Sequence, residues 1–151
     1  MMFDAIDRRL LAILQQDATT PIAELAERVG LSQTPCWKRL KRLQESGVIR
    51  RKVALLDPDA LDLSLTVFVA IRTNRHDKEW LETFAREAGA LPEVVEFYRM
   101  SGDVDYLLKV VVRDIRAYDS FYKRLITTAP LSDVSSSFAM EQIKFTTALP
   151  L

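Results

Sequence analysis

An α+β chain in two parts is what this 151-residue sequence predicts. Three observations carry it. Apolar residues recur at helical spacing through the first third, seven of the 21 basic residues crowd between Lys38 and Lys52, and beyond Pro58 the rhythm changes to apolar strands alternating with two amphipathic helices.

The first helix is expected after Asp4 or Asp7, either of which can cap it, with Ile6, Leu10, Ile13 and Leu14 on its apolar stripe. Thr20-Pro21 is a second start signal, Thr as cap and Pro in the first helical position, and it opens the stripe Ile22, Leu25, Ala26 and Val29. Gly30 ends that helix. Ser32 then caps a third, in which Pro35 falls in the tolerated first turn. Two helices joined by so short a glycine-containing turn form a helix-turn-helix pattern.

Rotation at about 100° per residue divides the third helix into two faces. Leu40, Leu43 and Gly47 fall on the side of Cys36, while Thr34, Lys38, Lys41, Arg42 and Glu45 gather opposite. A cationic helix face is most often merely solvated. Here it lies on the second helix of a helix-turn-helix, the element that enters the major groove, and Arg50-Arg51-Lys52 follow in a β segment expected over 48–56. That segment reads as the wing of a winged helix. The candidate DNA contacts are therefore Gln33, Thr34, Trp37, Lys38, Arg39, Lys41, Arg42, Arg50, Arg51 and Lys52. Trp37 sits about 100° off the stripe, consistent with either core edge or backbone contact.

Asp57-Pro58-Asp59 opens a linker over 57–62 between a DNA-binding part, 1–56, and a second domain, 63–151. In the latter, strands are expected at 63–73, 94–100, 105–112 and 134–143, and helices at 77–88 and 114–128. Asp77 and Asp114 are the caps; the stripes are Trp80, Leu81, Phe84, Ala88 and Ile115, Tyr118, Tyr122, Leu125. The order βαββαβ is ferredoxin-like, with both helices on one face of a four-stranded sheet. The first strand is apolar on both sides, Phe68 and Ala70 as well as Val67 and Val69, so the uncovered face is expected to self-associate into a dimer.

Composition limits the chemistry. Lys+Arg and Asp+Glu both total 21, so the overall sum favours no polyanionic partner and only the local cluster does. One Cys and one His supply neither a usual zinc ligand set nor a Cys/His nucleophile pair, and no GxGxxG or Walker-type loop is present. Cys36 falls on the apolar stripe as a buried thiol. No enzyme activity, no cofactor and no metal are expected. The lone cysteine, the absence of a signal-like N-terminus and the broken apolar runs point to a soluble cytoplasmic protein.

The stretch Ile22 to Ile49, the turn Gly102-Asp103-Val104-Asp105-Tyr106 and the tail Phe145-Thr146-Thr147-Ala148-Leu149-Pro150 resemble the leucine-responsive/asparagine-responsive (Lrp/AsnC) feast-famine transcription regulators. Residues 34–43, 53–58, 132–134 and 136–144 are similar to the branch that holds the cysteine-responsive activator of cysteine detoxification. The resemblance implies a winged-helix domain joined to an amino-acid-binding domain, homodimers that assemble into octamers, and an effector held between regulatory domains near the 102–106 turn. Gly102 there permits close approach of a ligand, and Asp103 and Asp105 can accept from an ammonium group, although Ser-Gly-Asp is also ordinary turn chemistry. Met100, Ser101, Tyr106, Ser136 and Ser137 complete the candidate effector set. The implied effector is small: cysteine first, then leucine or methionine. Two alternatives stand beside an amino-acid-responsive regulator. One is an architectural, weakly specific DNA binder; the other is a small enzyme on the ferredoxin-like half, for which no nucleophile-base pair is found.

Overall fold

The computed structural model describes residues 2–151. It contains α1 (Ala5–Leu14), α2 (Ile22–Val29), α3 (Gln33–Glu45), a 3-10 turn (Asp59–Leu61), β1 (Leu65–Arg72), α4 (Lys78–Gly89), β2 (Val94–Arg99), β3 (Tyr106–Val112), α5 (Ile115–Leu125) and β4 (Asp133–Phe138). These gather into two compact units, Met1–Leu55 with Ile143–Leu151, and Leu56–Gln142. The tail thus groups with the first unit, not with the 63–151 block expected. No Gly or Pro between Phe138 and Leu149 marks the place where the chain changes partners.

In the first unit both acidic cap candidates are used. The Asp7 amide donates to Asp4 Oδ1 (2.8 Å) and the Asp4 amide donates to Asp7 Oδ2 (3.2 Å), a reciprocal capping box. α2 starts one residue later than expected, with Pro21 as its cap, because the Thr20 hydroxyl is spent on the Asp17 carbonyl (2.8 Å). Gly30 terminates α2 at φ 74°, a left-handed conformation that glycine adopts without strain. Leu10, Leu14, Leu25, Ala26, Val29, Cys36 and Leu43 form the core. Residues 48–56 form no strand, contrary to the expected wing ladder. An extended segment needs a pairing strand, and none of the described residues supplies one.

The second unit is a β2-β3-β1-β4 antiparallel sheet. Asp77 caps α4 by accepting from the Trp80 amide (2.9 Å), and Asp114 caps α5 by accepting from the Ala117 amide (2.7 Å). Trp80, Phe84 and Ala88 from α4, with Tyr118, Phe121 and Leu125 from α5, cover Val67, Val69, Ile71, Leu108 and Val110. The α5 stripe differs from expectation: Ile115 is 69% exposed and Phe121 is fully buried. Ile115 falls in the first turn, lining an open surface hollow with Ser64, Leu65 and Arg113, so helical phase alone does not put sheet beneath it. β4 ends at Phe138 instead of residue 143. Phe138 already faces Val67, near the start of β1, so the neighbouring strand runs out. The opposite sheet face carries no helix and presents Phe68, Ala70, Leu107 and Val111, with a Lys109 to Glu96 ion pair (3.4 Å) among them. No helix among the described residues is long and apolar enough to cross a membrane.

Burial ranks two α5 positions in the reverse of the expected stripe, which takes in Ile115 and leaves out Phe121. Phe121→Ala is expected to lower unfolding free energy by about 3–5 kcal/mol through transfer and cavity costs, and Ile115→Ala to stay within about 0.5 kcal/mol. Urea denaturation of both variants measures the difference, and equal losses would contradict this packing.

Candidate functional site

α3 is held from one side only. Cys36 and Leu43 insert between α1 and α2, and burial pushes the Cys36 thiol above its usual range, in keeping with a packing role and not a reactive one. On the far side Gln33, Thr34, Trp37, Lys38 and Lys41 are exposed. Trp37 is 53% exposed, and Lys41 Nζ stands 5.4 Å from its ring centroid, a cation-π contact that stiffens the lysine stem while leaving its charge outward. Lys41 also lies 3.8 Å from Glu45 one turn on.

Arg39 and Arg42 are placed differently. Arg39 donates to Asp4 Oδ2 (2.6 Å) and Asp7 Oδ1 (2.9 Å), and Arg42 donates to Asp7 Oδ2 (2.6 Å). Asp7 is buried, so its two oxygens are shared between its own helix cap and two arginines of α3. The Asp7 amide and then the Arg39 guanidinium hold the Asp4 carboxyl below the usual carboxylate range. These two arginines therefore fasten α3 to the start of α1. The Asp4/Asp7 spacing is legible as a helix cap, but nothing in it signals a partner more than 30 residues away. Arg50, Arg51 and Lys52 all lie exposed in the strandless segment after α3.

The turn between β2 and β3 has Gly102 at φ 108°, where a side chain would be strained. The Met100 amide donates to the Asp105 carbonyl (2.8 Å), and the Asp105 amide to the Ile71 carbonyl (3.0 Å), which ties the turn to the end of β1. Asp105 Oδ2 accepts from the Thr73 amide (2.8 Å). Asp103 is exposed beside it. Tyr106, by contrast, is buried with its ring against Phe84, Trp80 and Phe97. Ser136 shares a hydrogen bond with the Tyr118 hydroxyl on the helix-covered face, while Ser137 is exposed opposite Phe68 on the other. Register keeps both serines away from the turn: β1 separates β4 from β3, and Ser136 faces Val69 whereas Tyr106 faces Ile71.

Comparison with known proteins places both halves. A winged helix-turn-helix DNA-binding model matches residues 3–50, and the Lrp/AsnC ligand binding domain matches residues 66–149. The chain belongs to the Lrp/AsnC family. It is 56% identical over 151 residues to the DNA-binding transcriptional activator DecR of Escherichia coli K12, covering 99% of each chain. An AsnC family transcriptional regulator from Agrobacterium tumefaciens superposes with a TM-score of 0.95 at 61% identity, over 98% of this chain and 97% of that one. A transcriptional regulator of Neisseria meningitidis, solved as a complex with L-methionine, superposes with a TM-score of 0.93 at 36% identity, over 99% and 97%. As an Lrp/AsnC member the chain is a DNA-binding transcription regulator.

The division of charges on α3 leads to two distinct mutant classes. Lys38→Ala and Lys41→Ala are expected to leave stability unchanged and weaken DNA binding in gel shifts. Each one that touches phosphate flattens the salt slope by about one unit. Asp7→Ala is expected to lower stability by about 2 kcal/mol, the scale of lost charge-assisted hydrogen bonds. A thermally unchanged Asp7→Ala protein would remove the fastening role.

Proposed function

We propose that this regulator binds duplex DNA through the exposed side of α3, with Gln33, Thr34, Trp37, Lys38 and Lys41 facing the major groove and Arg50, Arg51 and Lys52 on phosphate. Arg39 and Arg42 hold the helix in place beneath them. The second unit senses a small free amino acid at the Met100–Asp105 turn. Cysteine ranks first on the branch resemblance, followed by leucine and methionine.

The single observation that carries the effector reading is the turn itself. Gly102 gives an open backbone approach, and two carboxylates, Asp103 and Asp105, stand within three residues of it at a position pinned to β1. A zwitterion brings an ammonium group that such acceptors bind. The L-methionine held by the Neisseria relative supports an amino acid as the ligand class. Tyr106 supports the turn from the core. Ser137 and Ser136 lie too far along β4 to close the same pocket within one chain, so the serines complete the site only if a second copy brings them to the turn.

The uncovered sheet face supports self-assembly. Phe68, Ala70, Leu107 and Val111 form an apolar patch that a second copy covers, giving a homodimer that can build to an octamer. Paired heads read an imperfect palindrome with half-sites spaced by about one helical turn or a multiple of it. The protein works in the cytoplasm, without enzymatic activity and without a cofactor beyond its effector.

A thermal-shift panel of the proteinogenic amino acids identifies the effector, since a ligand at about 100 times its Kd adds about 2.7 kcal/mol to the folded state. Asp105→Asn is expected to weaken binding roughly tenfold in isothermal titration, the loss of one charge-assisted contact. The fold should survive, because the amide oxygen still accepts from Thr73. If no amino acid binds the wild type, a ligand-independent architectural DNA binder becomes the better description. Phe68→Asp is expected to lower the mass measured by light scattering while leaving the far-ultraviolet circular dichroism intact. An unchanged mass would show that this face is not the dimer interface.

A further inference from the structure

The tail makes a contact that the roles assigned so far leave unused. Gln15, the residue that closes α1, donates from Nε2 to the Leu149 carbonyl (2.8 Å) and accepts at Oε1 from the Leu149 amide (2.8 Å). An extended residue points its own N–H and C=O to the same side, and a primary amide offers one acceptor and one donor in a plane to match them. Gln15 therefore serves as a one-residue strand for the tail. The two backbone partners also fix which way round the amide sits, because a flipped amide would face donor with donor and acceptor with acceptor.

The contact closes a groove of about 230 Å³ whose walls are Leu11 and Leu14 of α1, Val48 and Ile49, and Leu149 and Leu151 of the tail. Arg50, Arg51 and Lys52 line the same groove. This basic segment has no ladder to hold it, so the groove is what borders it. Leu149 and Leu151 stay more than half exposed, and both Gln15 hydrogen bonds are open to solvent. A tail held in this way is docked by a factor of roughly ten to a hundred, enough to order it and little enough to release it.

We propose that Gln15 is a positioning residue for DNA binding: its amide latches the tail at Leu149 across the end of α1, and the latched tail holds the Arg50-Arg51-Lys52 segment where it meets phosphate. The proposal rests on the phosphate-contacting role given to that segment above. The latched tail is also the continuation of β4, so the sensing unit is joined to the head at both of its ends, at Leu55/Leu56 and at Gln142/Ile143. While the latch is closed, the tail gives the sensing unit a second route to the basic segment; release removes it.

The test uses the full-length protein and a duplex that the wild type selects from a random-sequence pool. Four variants are compared: Gln15→Ala, Gln15→Glu, a chain ending at Thr147, and Arg51→Ala. Hydrogen-exchange mass spectrometry of the peptide covering 145–151 is expected to show protection in the wild type and none in Gln15→Ala. Affinity for the duplex is expected to fall about tenfold in Gln15→Ala and in the shortened chain, with the salt slope shallower by about one to two units, a change that simple destabilisation of the head does not produce. Gln15→Glu keeps the length and the acceptor but loses the donor at neutral pH. Its tail protection is expected to return as pH falls below the ordinary carboxyl value of about 4.3, where the protonated acid donates again; this variant also stands in if Gln15→Ala fails to fold. Unprotected tail amides in the wild type, or unchanged affinity and slope in both Gln15→Ala and the shortened chain while Arg51→Ala loses slope, would overturn the latch. No loss of slope in Arg51→Ala would instead overturn the phosphate role of the segment.

Discussion

The reading head depends on one buried carboxylate. Asp7 closes the α1 cap with one oxygen, and with both it receives Arg39 and Arg42 of α3. α3 buries only Cys36 and Leu43 outright, so its apolar grip on the other helices is small. Two guanidinium groups locked to an acid on α1 add a directional constraint that apolar contact lacks: the arginine forks fix rotation of α3 about its own axis as well as distance. Rotation decides which side chains look outward. With Arg39 and Arg42 drawn toward α1, Lys38, Lys41, Trp37, Thr34 and Gln33 are left on the exposed face.

This changes how the charge count should be read. Seven basic residues lie between Lys38 and Lys52 against one acid, yet two are matched by Asp4 and Asp7 from outside the segment and a third stands near Glu45. The field that draws the head to DNA comes from fewer cations than the local sum suggests. What the arginines give up in long-range attraction they return as orientation, because a lysine on a fixed helix face loses less freedom on reaching a phosphate than one on a rolling helix.

Elements whose neighbours are local in sequence were legible. The glycine stop at Gly30, the Asp77 and Asp114 caps, the α4 stripe and the βαββαβ order all follow from spacings within a few residues, and all are in place. The departures share a cause. The strandless 48–56 segment, the early end of β4, the exposure of Ile115 and the division of the α3 cations each depend on what lies across from the residue, which periodicity does not encode. At the candidate effector turn the residue types were readable, Gly102 for conformation and Asp103 and Asp105 for charge. That Asp105 spends one oxygen on Thr73, and that Tyr106 faces the core, required the register of β1 with β3.

Connectivity places a further constraint on regulation. A ligand shifts DNA binding only through a difference in its affinity for two states of the protein, and couplings of about 1–3 kcal/mol are typical. In this chain the unit Leu56–Gln142 is inserted between two segments of the reading unit, so the chain joins it to that unit at both of its ends. The first exit follows the basic trio directly. The second passes through Ile143 to Leu149 and ends on Gln15, which closes α1, and α1 carries Asp7 near its other end. Both exits therefore lead along the chain to the basic residues or their supports: to Arg50, Arg51 and Lys52 on one side, and through Gln15 and α1 to the acid that holds Arg39 and Arg42 on the other. The two hydrogen bonds at Leu149 are exposed and neutral, whereas those at Asp7 are charge-assisted on a buried acid, so the tail contact is the more easily exchanged for water.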